Sequence, residues 1–106
     1  MIKEISAREL RSRLDTADRP LVLDVREAEE LAIARLPDAK HIPMNDVPAR
    51  LAELDPAAEI VVVCHHGMRS AHVARFLAER GFTRVVNLAG GIDAWAAEVD
   101  PAVPRY

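Results

Sequence analysis

The sequence predicts an α/β domain built on a parallel sheet, and three observations predict it. Residues 21–25 and 60–63 are nearly continuous runs of Leu, Ile and Val rather than alternating ones, the pattern of strands buried on both faces. Segments with helical spacing stand between the strand-like runs, so the two kinds of element alternate along the chain. In the third observation, the run Val61-Val62-Val63 stops at Cys64, the only cysteine. The short polar loop His65-His66-Gly67-Met68-Arg69 follows, and a helix-spaced segment opens at Ser70. A chain of 106 residues is expected to form one domain over residues 1–106, just large enough to bury its own core.

Taken in order, residues 2–5 read as a short first strand. Ser6-Ala7-Arg8-Glu9 is a capping box, with Ser6 as N-cap and Glu9 reaching back from the third helical position. Leu10 and Leu14 form the apolar edge of that helix, and Asp18-Arg19-Pro20 breaks it. The strand at 21–25 carries one polar residue, Asp24, near its carboxyl end, where it is expected to bond to backbone or to a nearby arginine. Residues 26–36, charged early and apolar later, predict a short helix ending before Pro37. Residues 39–43 predict a strand that its proline demotes to the sheet edge. Asn45 is expected to cap a helix through Val47, Leu51 and Leu54, with Pro48 in the first turn, where its missing N–H costs little.

The segment from 70 to 80 places His72, Arg75 and Glu79 on one face and leaves Val73, Ala74, Phe76, Leu77 and Ala78 for packing. Gly81 ends it as a C′ glycine. Residues 84–88 make a fifth strand, and Ala89-Gly90-Gly91 turns into a last helix in which Trp95 is a packing anchor.

Composition narrows the function. Half the residues are hydrophobic but only 4% are aromatic, so aliphatic side chains and alanine build the core. A net charge of −3 and a pI near 5.8 provide no basic footprint for nucleic acid. A single cysteine excludes an internal disulfide and a cysteine-rich zinc site, and suits a reducing compartment. No run is long and apolar enough to span a membrane, and the first residues lack the apolar stretch of a signal peptide. A soluble cytoplasmic protein is expected.

The loop carries the chemistry. A cysteine at the carboxyl end of a buried strand and the amino end of a helix faces unpaired N–H groups and the positive end of the helix dipole. Both favour negative charge, so Cys64 is expected to be thiolate-prone and the loop to cradle an anion. Gly67 suits the tight loop. His65 and His66 are expected to line the pocket mouth rather than bind a metal, since adjacent residues rarely aim at one ion and no further ligand cluster is evident. His72 reads as a solvated side chain, and His41 is assigned no role.

Cys64-x-x-Gly67-x-Arg69-Ser70, followed by Asn87-Leu88-Ala89-Gly90-Gly91-Ile92-Asp93-Ala94-Trp95, resembles the rhodanese (sulfurtransferase) family. Leu23-Asp24-Val25-Arg26 and Pro37-x-Ala39 match its amino-terminal signature, and the similarity runs from about Ile5 to the end. Where the family reads Gly-His-Ile-Pro-Gly-Ala, this chain reads Ala34-Arg35-Leu36-Pro37-Asp38-Ala39, a departure that bears on the local turn and on Arg35.

The resemblance implies the rhodanese-like three-layer fold, a five-stranded parallel sheet with helices on both faces. It also implies a relay in which Cys64 takes sulfur from a small anionic donor such as thiosulfate, becomes a persulfide, and passes the sulfur to cyanide or a thiol. Backbone N–H groups from His65 through Arg69, with Met68 among them, would hold the anionic sulfur. The Arg69 side chain would attract the donor. No metal or organic cofactor is implied. A protein acceptor in a sulfur relay is the alternative, and the ending from Asp100 to Tyr106 resembles that of domains fused to activating enzymes of such relays. A phosphatase or arsenate reductase of the same fold is disfavoured. Its loop has five residues between Cys and Arg, against the four here.

Overall fold

The computed structural model describes residues 2–106. Five strands, β1 (Lys3–Ile5), β2 (Leu21–Asp24), β3 (Lys40–His41), β4 (Ile60–Val63) and β5 (Val85–Leu88), form one parallel sheet in the order β1-β5-β4-β2-β3. The predicted architecture is therefore observed. β4 lies in the middle, with Asp24 paired to Val63 on one side and Val62 to Asn87 on the other.

Successive residues of β4 point to opposite faces and so divide the core into two layers. Ile60, Val62 and Cys64 pack with Val73, Ala74 and Leu77, while Val61 and Val63 pack with Leu10, Ile92 and Trp95. The first layer lies under α3 (Met68–Glu79). The second lies under α1 (Ala7–Leu14) and α4 (Gly91–Glu98). Helices thus cover both faces, as a parallel sheet requires. Among the described residues no helix is long and apolar enough to cross a membrane.

Local chemistry accounts for the helix ends. The capping box is present: Glu9 N–H donates to Ser6 Oγ and Ser6 N–H to Glu9 Oε1, each at 3.1 Å. At the end of α3, Gly81 N–H bonds to Ala78 C=O and Phe82 N–H to Leu77 C=O, the two bonds of a Schellman motif. The exposed positions His72, Arg75 and Glu79 agree with the predicted face, but Ala78 is exposed rather than packed. α3 also starts at Met68, two residues before the predicted Ser70, because Gly67 serves as its N-cap.

Two predicted helices are shorter or different in kind. α2 covers only Ala28–Ile33. Arg26 is drawn back to Asp24, and Ala34 leaves the helix with its carbonyl accepting from Arg26 Nη2 at 2.7 Å. The segment around Asn45 is not an α-helix capped by Asn45 but two 3₁₀ pieces, Met44–Asp46, which contains Asn45 and follows Pro43 as N-cap, and Pro48–Glu53. Pro48 has no N–H to donate to Met44 C=O, so Val47 N–H takes that carbonyl in the tighter i→i−3 pattern. β3 is an edge strand of two residues, stopped before Pro43.

The departure at 34–39 has a visible consequence. Asp38, where the family reads glycine, is the only non-glycine residue with positive φ (57°) among the described residues. Arg35 is exposed and makes no hydrogen bond or ion pair among the described residues. Glycine visits the left-handed region without the Cβ penalty of about 1–2 kcal/mol. Asp38→Gly is therefore expected to raise stability by about 0.5–1 kcal/mol after its larger unfolded-state entropy is counted. Urea unfolding checks this; a lower midpoint would show that Asp38 makes a compensating interaction.

Candidate active site

Cys64 follows β4 directly and is buried, 1% exposed. Its Sγ receives Gly67 N–H at 3.0 Å and lies 3.2 Å from Ser70 Oγ. Gly67 makes that bond with φ at 106°, a conformation L side chains rarely adopt. His65 and His66 lie outside any helix or strand, and Met68 and Arg69 are in the first turn of α3. Their N–H groups have no acceptor among the described residues. A shallow pocket of about 290 Å³ opens at this loop, lined by Cys64, His65, His66, Met68 and Arg69. Met68 stands 83% exposed at its rim. Gly67 contributes backbone rather than lining.

Behind the thiol is a polar chain, buried at Ser70 and Asn87 and ending on the exposed Glu4. Asn87 Nδ2 donates to Glu4 Oε2 at 2.9 Å and to Gly67 C=O at 3.0 Å. Both partners are acceptors, so Asn87 Oδ1 must face the Ser70 hydroxyl, which it contacts. That hydroxyl has one proton. It bonds to Oδ1 while Cys64 is a thiol able to donate to Ser70, and can turn to Sγ once the sulfur is anionic. Asn87 and Ser70 thus brace the loop from β5 and α3.

The start of α4 braces it from the other side. Ile92 N–H donates to Cys64 C=O at 2.9 Å, and Asp93 N–H to His65 C=O at 3.1 Å. A Cβ on Gly91 would come within 2.5 Å of Cys64 O and 2.4 Å of His65 O, so only glycine admits this approach. The Gly-Gly-Ile-Asp segment is therefore part of the site, which its sequence resemblance alone did not explain.

Arg69 is not a lone cation. Its Nη1 and Nη2 donate to the two oxygens of Glu30 at 2.7 and 2.9 Å. Glu30 also accepts Glu27 N–H at 3.0 Å and the Tyr106 hydroxyl at 2.8 Å. The hydrogen bonds from Arg69 lead in pulling the Glu30 carboxyl down to about 2, against the opposing effect of burial. The same pairing raises Arg69 above its ordinary value. Nε–H of Arg69 makes no hydrogen bond among the described residues.

Beneath lies the pair formed by Asp24 and Arg26, both 0% exposed. Arg26 Nε and Nη2 grip the two carboxylate oxygens at 2.9 and 2.7 Å. The other donors reach Ala34 C=O, Glu30 C=O and the Tyr106 hydroxyl. Burial works against the charge of Arg26, and the bonds to Asp24 and Tyr106 more than offset it. The expected arginine partner of Asp24 is thus found two residues on. His41 Nε2 donates to Arg26 C=O at 2.7 Å, a structural role the sequence did not show.

His65 lies between two rings, His66 and Tyr106, with centroids 3.8 Å away on each side. Asp93 joins the histidines, and the three offer ligand atoms within 4.8 Å of one another, a proximity absent from the sequence. The Asp93 carboxylate is held bidentately by Arg105 at 3.0 and 3.1 Å, and the two imidazoles stack on each other. The sequence reading assigns no site role to Glu30 or Tyr106, and includes Asn87 and Asp93 only as members of the family motif. Each is joined to the loop through space.

Fold and loop together define an α/β protein with a cysteine cradled at the carboxyl edge of its sheet. The chain belongs to the rhodanese-like domain family, whose model matches residues 6–98. It is similar to a sulfurtransferase of Allochromatium vinosum, 37% identical over 103 residues, covering 97% of this chain and 96% of the relative. It is also similar to thiosulfate sulfurtransferase GlpE of Actinobacillus pleuropneumoniae, 36% identical over 83 residues, covering 78% and 77% of the two chains. The crystal structure of a rhodanese-like domain protein from Staphylococcus aureus superimposes with a TM-score of 0.86 at 33% identity, covering 99% of each chain.

Proposed function

We propose that this chain, acting as a single domain over its whole length, transfers sulfane sulfur from thiosulfate to a thiophilic acceptor through a persulfide on Cys64. The sulfurtransferase class follows from the family and from the full-length relative that bears that name. The name of the GlpE relative supports thiosulfate as donor. The observation that carries the reading is Cys64 Sγ seated on Gly67 N–H at the mouth of a loop with further unpaired N–H groups.

The Cys64 thiolate attacks the outer sulfur of thiosulfate. The S–S bond of the donor breaks, its electron pair leaves with sulfite, and Cys64 carries an anionic persulfide. Cyanide or a thiolate then attacks the terminal sulfur and the Cys64 thiolate returns. The loop amides hold the negative charge in both steps, and the free Nε–H of Arg69 is available to the donor. A protein acceptor is the second reading, favoured by the exposed Met68 beside the pocket.

Thiocyanate formation from thiosulfate and cyanide tests the reading. Arg69→Ala is expected to raise KM for thiosulfate by an order of magnitude or more, the equivalent of about 1.5–3 kcal/mol for a charged hydrogen bond. It also leaves Glu30 unpaired to repel the dianion, so Glu30→Gln added to Arg69→Ala should recover part of the loss. Wild-type protein that makes no thiocyanate, yet takes sulfur from a protein persulfide, would move the function to protein-to-protein relay.

A further inference from the structure

The segment after α4 is anchored against the site by contacts that the sulfur chemistry does not use. Val103 packs on the core layer under α4, Arg105 holds Asp93, and the Tyr106 ring lies parallel to His65 with 10° between the planes. The Tyr106 hydroxyl accepts from Arg26 Nη1 at 2.7 Å and donates to Glu30 Oε2 at 2.8 Å. An arginine can only donate, so Arg26 fixes the direction of this bridge and the single phenolic proton goes to Glu30. Burial, the largest influence, raises the phenol above its ordinary value and keeps that proton in place. One side chain therefore touches the residue after Cys64 and the carboxylate that clamps Arg69.

We propose that Tyr106 is a positioning residue for transfer at Cys64: its ring steadies His65, and its hydroxyl, through Glu30, fixes the guanidinium of Arg69. The two handles come apart on substitution. Tyr106→Phe keeps the ring and loses the bridge, while Tyr106→Ala loses both.

This rests on the reading that Arg69 meets an anionic donor, so the test uses probes independent of thiosulfate. Cys64 is alkylated with iodoacetate, an anion, and with iodoacetamide, its neutral analogue, and the ratio of rates reports the hold on negative charge. Tyr106→Phe is expected to lower that ratio about threefold to tenfold, the net scale of one ordinary hydrogen bond and less than the direct loss of Arg69, because the hydroxyl acts through Glu30, with the iodoacetamide rate unchanged. Tyr106→Ala is expected to alter the iodoacetamide rate as well, and the Phe variant to restore it. In a Glu30→Gln background Tyr106→Phe should produce no further drop in the ratio, because the hydroxyl acts through that carboxylate. Thermal unfolding of each variant confirms that it is folded.

A ratio lowered by Arg69→Ala but untouched by Tyr106→Phe overturns the role of Tyr106 alone. A Phe effect that persists undiminished in the Glu30→Gln background overturns the route through Glu30. A ratio unmoved by Arg69→Ala overturns the reading of Arg69 and this proposal with it.

Discussion

Cys64→Ser protein is expected to gain no mass from thiosulfate, while the wild type gains one sulfur atom, about 32 Da, by thiolate displacement. The substitution is nearly isosteric. Gly67 N–H and the Ser70 hydroxyl can bond to an oxygen as they do to Sγ, so the fold and the pocket should survive. What disappears is the nucleophile: among the described residues no histidine or carboxylate hydrogen-bonds to the side chain at 64 to take a serine proton, and oxygen does not form a persulfide. Intact-mass measurement before and after thiosulfate exposure reads the outcome, and thiocyanate production should fall to background. An equal mass gain in the variant would place the sulfur elsewhere on the chain.

Arg26→Ala should be the most destabilising single change among those considered, at about 3–5 kcal/mol, because it leaves the Asp24 carboxylate buried without its partner. Ala34 C=O and the Tyr106 hydroxyl lose a donor at the same time. Arg26→Lys should rescue little, since one ammonium cannot reproduce a planar fork that serves Asp24, Ala34, Glu30 and Tyr106 together. Replacing both partners, Asp24→Leu with Arg26→Leu, should cost less than Arg26→Ala alone, because no buried charge is stranded. Chemical denaturation measures all three. A loss below about 1 kcal/mol for Arg26→Ala would mean that water reaches Asp24 readily.

How far the sequence reads into this molecule depends on the range of each interaction. Features set within a few residues were legible: the Ser6–Glu9 box, the Gly81 stop, the buried run of β4 and the cysteine at its end. So was the resemblance, which supplied strand count and layering. The 3₁₀ pieces around Asn45 were misread because Pro48 reads as a harmless first-turn residue, whereas its missing N–H leaves Met44 C=O to Val47. The partners of the site were illegible for a different reason. Arg69 meets Glu30 39 residues away, and Tyr106 reaches Arg26 80 residues back. Nothing local marks such pairs; Glu30 reads as one more surface acid on a charged helix, and only the fold makes it the keeper of Arg69.

The contact of Gly91 with the carbonyls of Cys64 and His65 bears on the order of events. With α4 packed against the loop on one side and Asn87 and Ser70 bonded to it on the other, the backbone that carries Cys64 is held from two directions. Under the proposed function, sulfur would be received and surrendered at this one loop, and the first product would depart before the second reactant arrives, the ping-pong order of a covalent relay. The protein would then be a fixed quay, its clients docking there in turn.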